Sequence, residues 1–391
     1  MAFFGLPALG ARGDAAARAS SSAVSVDFLH RHECAACPLN AAAGLQHPKM
    51  EPTGAERPDI YFLGEAPGDI EDRRGRQMVG PAGQIVRHHL PEKWSSRARW
   101  NNCIRSRPPG NRPPSYIEVE CCRPSIIQDI MRTRPKAILG FGNVPLSWAG
   151  IASSGIAAWC GRRVPVKIGS HSCWFFPITD PVAVMRDPKW RGLQRRAGKY
   201  GSELEFRFAL DLRAALAAVD AGLPDPIVHS SEDALEGIEW VTGVNGDADV
   251  ETVEDFLYRA ARRKLAGFDY ETNCLRPYAA GAKILSAAVS TAMDGTLVFP
   301  FDHREARWTG KQRARIDAAW RKFLHESRCR KVSHHLAFEM EWSAYFYGAD
   351  CLHSGRWGCS ISQLYVLDER QGATSLEALV VAYFGINIKK L

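Results

Sequence analysis

The stretch DIYFLGEAPGDIEDRRGRQMVG, residues 59–80, decides the fold of this chain. Its first five residues form an apolar run typical of a short strand, and glycines, a proline and several carboxylates follow at once. Open parallel sheets bind ligands beyond the carboxyl ends of their strands. The stretch therefore predicts an α/β domain with a binding loop that begins at Gly64.

Two more strand-like runs are followed directly by loops of the same kind. KAILGFG at 136–142 leads into GFGNVP, and CWFFPI at 173–178 leads into TDP. A helical stretch at 117–133 comes between the first strand and these two. Because strands alternate with helices, we expect a sheet whose three loops converge on one pocket.

Length and composition restrict the class of protein. A chain of 391 residues exceeds what one hydrophobic core usually organises, so we expect two or three domains. It is 46% hydrophobic and 24% charged, and no apolar run approaches the roughly 20 residues of a membrane span. The amino terminus lacks the basic start and long apolar stretch of a secretory signal. We therefore expect a cytoplasmic protein with no membrane partner.

Changes in composition predict the domain limits. The segment AGLPDPIVHSSEDALEG is rich in residues that favour linkers, and the amino-terminal segment is rich in Ala, Ser and Gly. The predicted organisation is a flexible arm at 1–27, an α/β domain at 28–221, a linker at 222–236 and a second α/β domain at 237–391.

A basic segment lies within the first domain. The chain has a net charge of +7, and five arginines with no acid occur between Arg97 and Arg112. Such a cluster predicts a phosphate-binding surface, to which we expect Arg105 and Arg107 to contribute. A solvated basic loop is the alternative interpretation.

The cysteines of the first half are grouped. CAAC holds Cys34 and Cys37, NNC ends at Cys103, and ECCRP adds Cys121 and Cys122. A chain without an export signal uses grouped cysteines as thiols or metal ligands more often than as disulfides. Four thiolates suit either zinc or an iron–sulfur cluster.

Several spaced segments resemble the family-4-type iron–sulfur uracil-DNA glycosylases. They are, in order, GEAPGDIED, GRQMVGPAG, NNCIRSRPPGNR, CRP, RPKAILGFGNVPL and TDP, and the resemblance covers residues 28–215. It implies a three-layer sandwich and a [4Fe–4S] cluster held by Cys34, Cys37, Cys103 and Cys122. Cys103 is assigned as the third ligand because Ser106 stands where the family has the cysteine before RPP.

The same resemblance implies a pocket for a base flipped out of DNA. It assigns Gly64 and Glu65 to the pocket wall and Asn102 to uracil recognition through its amide. Glu71 would lie in the catalytic loop near the attacking water, and Asn111 matches a further pocket residue. A carboxylate in that loop can stabilise an electron-poor sugar and polarise water.

Two substitutions depart from the family pattern. Met78 replaces the stacking aromatic residue of GxPFVG, and Asp180 replaces the histidine of the His-Pro pair. An ionised Asp180 would oppose the charge on departing uracil, whereas a protonated one could donate a hydrogen bond. We therefore expect weak or absent uracil release at neutral pH.

The second half carries paired carboxylates. In GFDYETN, Asp269 and Glu271 are two residues apart, which places both on one face of a strand. With KVSHHLAFEMEW they resemble the 3′–5′ proofreading exonuclease domain of family-A DNA polymerases over residues 237–391. The resemblance implies Mg²⁺ or Mn²⁺ held by Asp269, Glu271 and Glu339, with His335 at the usual asparagine position.

The third exonuclease motif, a Tyr and an Asp in a later helix, is missing from the sequence. His334 and Asp368 are possible substitutes, although each is more simply interpreted as a surface or packing residue. This ribonuclease-H-like domain is therefore predicted to be incomplete and to digest DNA poorly.

Together these features predict a bacteriophage-type DNA replication or repair protein. We expect it to bind single-stranded DNA in a bacterial host cell, and to work with a DNA polymerase module in cis or on a separate chain. An active uracil-DNA glycosylase and a non-catalytic scaffold for a polymerase are the alternatives.

Overall fold

The computed structural model describes residues 25–26, 34–40, 42, 44–151, 155–187, 201–228, 236–368 and 374–386. The chain divides into two compact units. One unit takes the residues up to Ala234 together with those from Gln371, and the other is Leu235–Arg370. The predicted α/β class is confirmed. The predicted arm at 1–27 lies outside the described residues, apart from Ser25–Val26.

A seven-stranded mixed sheet forms the centre of the first unit. Its strands are β1 (Ser25–Val26), β2 (Thr53–Gly54), β3 (Ile60–Gly64), β4 (Ala98–Asn102), β5 (Ala137–Phe141), β6 (Val164–Ile168) and β7 (His171–Ile178). Their order is β1-β6-β7-β5-β3-β4-β2, and β7, β5, β3 and β4 run parallel to one another. The carboxyl ends of these four strands therefore lie along one edge of the sheet.

Helices cover both faces of this sheet. They are α1 (Asp69–Arg74), α2 (Pro81–His89), α3 (Tyr116–Thr133), α4 (Asn143–Trp148), α5 (Pro181–Arg186) and α6 (Glu203–Asp220). Ile60 and Phe62 of β3 belong to a core that includes α2 and α6, whereas Tyr61 and Leu63 belong to a core that includes α3 and α4. Because successive strand residues point to opposite faces, the first unit has three layers.

A six-stranded mixed sheet forms the centre of the second unit. Its strands are β8 (Ile238–Trp240), β9 (Leu265–Thr272), β10 (Ile284–Thr291), β11 (Gly295–Pro300), β12 (Arg330–Ser333) and β13 (Arg356–Cys359). Their order is β13-β12-β9-β10-β11-β8, with β9, β10 and β11 antiparallel and β12 and β13 parallel to β9. The second unit, like the first, is therefore built around a mixed sheet.

The helices of the second unit are α7 (Asp247–Ala260), α8 (Gly310–His325), α9 (Leu336–Tyr347), α10 (Asp350–Ser354) and α11 (Ser360–Leu367). Phe268 and Tyr270 of β9 are buried against Trp320 of α8, whose indole N–H donates to the Tyr270 hydroxyl at 2.8 Å. Asp269 and Glu271 alternate with these residues, so they point to the opposite face of β9.

The predicted second domain, 237–391, extends too far toward the carboxyl terminus. The last described helix, α12 (Leu376–Phe384), belongs to the first unit. Its Ala378 and Val381 are part of the core that contains Val164 and Val166 of β6. Ala378 and Val381 are buried there, which a local sequence pattern could not indicate.

None of the described helices is both long and apolar enough to cross a membrane.

Candidate functional site

The loop after β3 is held by Glu71. Its Oε1 accepts a hydrogen bond from the backbone N–H of Gly80 at 2.6 Å, and its Oε2 accepts one from Gly68 at 3.2 Å. A Cβ at either glycine would come within 3.0 Å of this carboxylate, so a larger residue at either position would displace the Glu71 side chain. Glu71 thus ties the beginning of α1 to the beginning of α2.

Asp72 is also bonded to the backbone. Its carboxylate oxygens accept from the backbone N–H groups of Gln46 at 3.2 Å and His47 at 3.0 Å. The two acids of the loop therefore stabilise its conformation.

Gly64, Met78 and Asn102 meet at the edge of the sheet. A Cβ on Gly64 would lie 2.3 Å from Asn102 Oδ1 and 2.3 Å from the Met78 methyl carbon. Met78 has a left-handed backbone with φ of 54°, and both Met78 and Asn102 are buried. The structure therefore brings together three of the residues predicted for the base pocket.

Gln77 was not predicted from the sequence. It is fully buried, and its Oε1 accepts a hydrogen bond from Asn102 Nδ2 at 2.5 Å. The signal was present in GRQMVG, because a glutamine stands where the family pattern GxPFVG has proline. A long polar side chain beside a pocket residue was the feature to notice.

Two carboxyl groups approach the same edge. Asp180 follows β7, caps α5 by accepting from the Val182 N–H at 2.8 Å, and lies against Gly142, which follows β5. Burial raises the pKa of Asp180. Burial also raises the pKa of Glu65, and the neighbouring charge of Asp180 raises it further. The loops after β3, β5 and β7 therefore converge.

Each arginine of the basic segment contacts a carboxylate. Arg105 donates to the carbonyl oxygens of Lys49 and Met50, both at 2.9 Å, and Arg107 donates to Asn111 Oδ1 at 2.7 Å. The local positive charge is thus balanced by acids that are distant in sequence. The ion pairs are Arg97 with Asp59 and Asp220, Arg99 with Asp129 and Glu56, Arg105 with Glu51, Arg107 with Asp69 and Arg112 with Glu118.

The grouped cysteines lie near one another as free thiols. Cys103 and Cys122 are buried in one core, against which Cys37 packs. Burial raises the pKa of Cys122 to about 12 and that of Cys121 to about 11, and the charges of Cys37 and Cys34 add to both shifts. Within the described residues, no group of three or more His, Cys, Asp or Glu is arranged to hold a metal ion.

Three carboxylates converge in the second unit. Asp269 and Glu271 project from β9, and Glu339 projects from the first turn of α9. Burial, then the charges of Glu339 and Glu271, raise the pKa of Asp269 to about 7. Glu339 is buried, and its Oε2 has no hydrogen-bond partner among the described residues. The orphaned oxygen of Glu339 lies near two more acids, although the three are not arranged as a metal-binding group in the described part of the chain.

The predicted substitutes for the third exonuclease motif have structural contacts. His334 Nδ1 lies 3.0 Å from Ser360 Oγ, and the Asp368 N–H donates to Leu364 O at the end of α11. His335 directly precedes α9 and therefore lies one turn from Glu339.

Comparisons with known proteins find a family match within the first unit. Residues 51–198 match the model of the Uracil DNA glycosylase superfamily. A type-4 uracil-DNA glycosylase from Pyrobaculum aerophilum is 32% identical over 190 residues, which cover 43% of this chain and 89% of that protein. One from Sulfurisphaera tokodaii is 29% identical over 193 residues, which cover 46% and 84%.

A relative of another kind spans both units. A DNA polymerase of Bacillus phage SP01 is 22% identical over 311 residues, which cover 75% of this chain and 31% of that polymerase. The glycosylase match is the closer in identity and includes the loop held by Glu71. Through this part of its sequence, the chain belongs to the uracil DNA glycosylase superfamily.

Proposed function

We propose that this chain is a bacteriophage-type DNA replication or repair protein that holds single-stranded DNA through its glycosylase-like unit. Residues 28–221 would bind a flipped base, and the second unit would act as an incomplete exonuclease-like domain. A DNA polymerase module, in cis or on another chain, is the expected partner, since a phage polymerase is related to 75% of the sequence.

The meeting of Gly64, Met78 and Asn102 is the observation that carries the proposal. The absent Cβ of Gly64 lets Asn102 Oδ1 and the Met78 methyl group approach the strand closely, and the Asn102 carboxamide would hydrogen-bond the edge of a base. Met78 offers an apolar surface without the aromatic face on which bases stack best. The pocket is therefore suited to a base, but with a weaker stacking contribution than an aromatic residue would give.

The chemistry of base release is disfavoured by Asp180. Its Oδ1 accepts from the Val182 N–H, and burial raises its pKa although that hydrogen bond and the charge of Arg186 act in the opposite direction. A carboxylate there opposes negative charge on a departing base, and only the neutral form can donate a hydrogen bond. We expect uracil release to be slow at neutral pH.

We propose that the grouped thiols hold a [4Fe–4S] cluster. Cys34 and Cys37 would supply one pair, Cys103 the third ligand and Cys122 the fourth. Thiolate sulfur is the donor that such clusters require, and Cys37 packs against the core that contains Cys103 and Cys122.

We further propose that Mg²⁺ or Mn²⁺ binds beside Asp269, Glu271 and Glu339. A bound cation would supply charge to orient a phosphodiester and a water. The residues themselves provide carboxylate oxygens, one of which is orphaned in the described structure. Since Asp269, Glu271 and Glu339 offer only a partial site, we expect little digestion of single-stranded DNA by this chain.

An active uracil-DNA glycosylase is the second candidate function. It is favoured by the 32% identity to a type-4 enzyme across 89% of that enzyme. The two candidates share the base pocket and differ in whether Asp180 permits release.

Binding to DNA tests the pocket. We would compare single strands that carry either one 2′-fluoroarabino-uridine, whose glycosidic bond resists cleavage, or one tetrahydrofuran abasic site. Wild type should prefer the uridine strand, Asn102→Ala should lose this preference and Met78→Phe should increase it by about 5-fold or more, as expected for base stacking. Equal affinity of wild type for both strands would contradict a base pocket.

A further inference from the structure

A chain of buried polar side chains leads from the interior of the first unit to Asn102. Asn102 Nδ2 donates to Gln77 Oε1 at 2.5 Å. Gln77 Nε2 in turn lies 3.4 Å from Asn101 Oδ1 and 3.4 Å from the Met50 carbonyl oxygen. Carboxamides can be turned by 180°, so the direction of these bonds must be established from groups whose roles are unambiguous.

The interior end of this hydrogen-bond network is the Asp129 carboxylate, whose oxygens accept hydrogen bonds. Asp129 accepts from Arg99 Nε at 2.7 Å and from Arg99 Nη2 at 2.8 Å. The Tyr61 hydroxyl donates to Asp129 Oδ2 at 2.9 Å, and burial followed by the Asp129 charge raises the Tyr61 pKa well above its usual value. Because the hydroxyl proton of Tyr61 is directed to Asp129, its oxygen can only accept the next hydrogen bond. Asn101 Nδ2 donates that bond at 2.8 Å.

The backbone supplies the second unambiguous group. The N–H of Asn102 can only donate, and it donates to Asn101 Oδ1 at 2.9 Å. Both ends of the Asn101 carboxamide are thereby fixed, so Gln77 must direct Nε2 to Asn101 and Oε1 to Asn102. The Asn102 amide nitrogen therefore faces Gln77, and its Oδ1 lies over Gly64.

We propose that Gln77 is a positioning residue that fixes the polarity of the Asn102 carboxamide and so selects the base edge that the pocket reads. This inference rests on the proposed base-binding function. The ligand class it predicts is a pyrimidine with an N3–H donor beside a carbonyl acceptor, as in uracil. Oδ1 would accept from N3–H, and the second hydrogen of Nδ2 would donate to the carbonyl.

Cytosine presents the opposite order, with an acceptor at N3 and an amino donor beside it. To read it, Asn102 would have to turn by 180° and place Oδ1 against Gln77 Oε1. Two buried acceptors would then face each other without a proton between them. Sites that leave buried polar groups unpaired reject the wrong ligand strongly, so the Gln77 contact should act against cytosine.

The ratio of two affinities tests this role. Fluorescence anisotropy would measure the Kd of strands with one 2′-fluoroarabino-uridine, one 2′-fluoroarabino-cytidine or one tetrahydrofuran site. Wild type is compared with Gln77→Leu, which has no polar group, and with Gln77→Glu, which keeps the acceptor for Asn102. Burial favours the neutral form of that glutamate, which can still donate to Asn101.

We expect wild type to prefer the uridine strand over the cytidine strand by about 10-fold or more. Gln77→Leu should reduce this ratio to within about 2-fold, and Gln77→Glu should keep most of it. A merely structural role would weaken binding to both strands equally and leave the ratio unchanged. Circular dichroism checks folding, and Gln77→Met replaces the leucine variant if the latter does not fold.

The two possible failures are distinguishable. If wild type prefers uridine and the leucine and methionine variants keep the full preference, the role of Gln77 is wrong and the base pocket stands. If wild type binds the uridine, cytidine and abasic strands alike, the base pocket itself is wrong, and the specificity role falls with it.

Discussion

Glu71, for which the sequence predicts a catalytic role, also stabilises the conformation of the loop after β3. Both of its carboxylate oxygens accept backbone N–H groups, at Gly68 and Gly80, and hydrogen bonds to an ionised acceptor are stronger than neutral ones. The loop between them carries Gln77 and Met78 to the sheet edge. The position of the pocket residues therefore depends on Glu71, whether or not it also acts on a water.

Glu71→Gln should destabilise the first unit. The amide oxygen can keep the Gly80 contact, but the NH₂ group would face the Gly68 N–H, so one buried acceptor contact is lost. We expect a loss of about 1–3 kcal/mol in the free energy of unfolding, measured as a lower thermal midpoint. Glu65→Gln is the matched control, because burial already raises the Glu65 pKa and favours a neutral side chain. Equal midpoints for the two variants would contradict this role.

At the scale of elements, α12 is the clearest case of a helix whose place depends on a distant partner. Val381 is 3% exposed and lies in the core shared with Val164 and Val166 of β6, whereas Tyr383 is 65% exposed. Its amphipathic packing completes one face of the first unit.

Val381→Ala should therefore lower the stability of the first unit by about 1–3 kcal/mol, through lost burial and the cavity that remains. Tyr383→Ala, on the same helix, should change it by less than about 0.5 kcal/mol. Thermal unfolding followed by circular dichroism measures both. Equal effects of the two substitutions would mean that α12 does not pack as described.

Strands and helices with strong local patterns could be predicted from the sequence. The strand expected to carry Asp269 and Glu271 spans Leu265–Thr272, and the helix expected at 117–133 spans Tyr116–Thr133. The position of α12 could not be predicted, since β6 lies about 200 residues earlier in the chain. For the same reason the charge count at Arg97–Arg112 missed the ion pairs with acids from other segments.

Among the pocket residues, too, local motifs predicted some members and missed a contact between distant segments. Gly64, Met78 and Asn102 were predicted through their motifs and meet in the structure. The role proposed for Gln77 depends on a hydrogen-bond chain through Asn101 and Tyr61, which three separate segments contribute. No local pattern contains that chain.

At the scale of the whole molecule, a cluster and a base pocket are proposed for one unit and a cation site for the other. Anaerobically purified protein should be brown, with iron and sulfide near four each per chain. Cys103→Ser should abolish the colour, and Cys121→Ser should keep it. The second variant is a demanding control, because Cys37 and Cys34 also raise the pKa of Cys121. The reverse pattern would mean that Cys121, and not Cys103, is the cluster ligand. Colourless wild-type protein would contradict the cluster.

Uracil release from single-stranded DNA measures most directly whether the pocket keeps its base-binding shape but disfavours the reaction. Uracil-containing strands are incubated with protein at pH 5 and pH 7.5, and abasic sites are then cleaved with alkali. Wild type should release little uracil at pH 7.5 and more at pH 5, because burial raises the pKa of Asp180 and its neutral form gains with falling pH. The double variant Met78→Phe with Asp180→His should be faster at pH 7.5 by about 10-fold or more. Wild-type release at pH 7.5 that equals or exceeds that of the double variant would contradict the account.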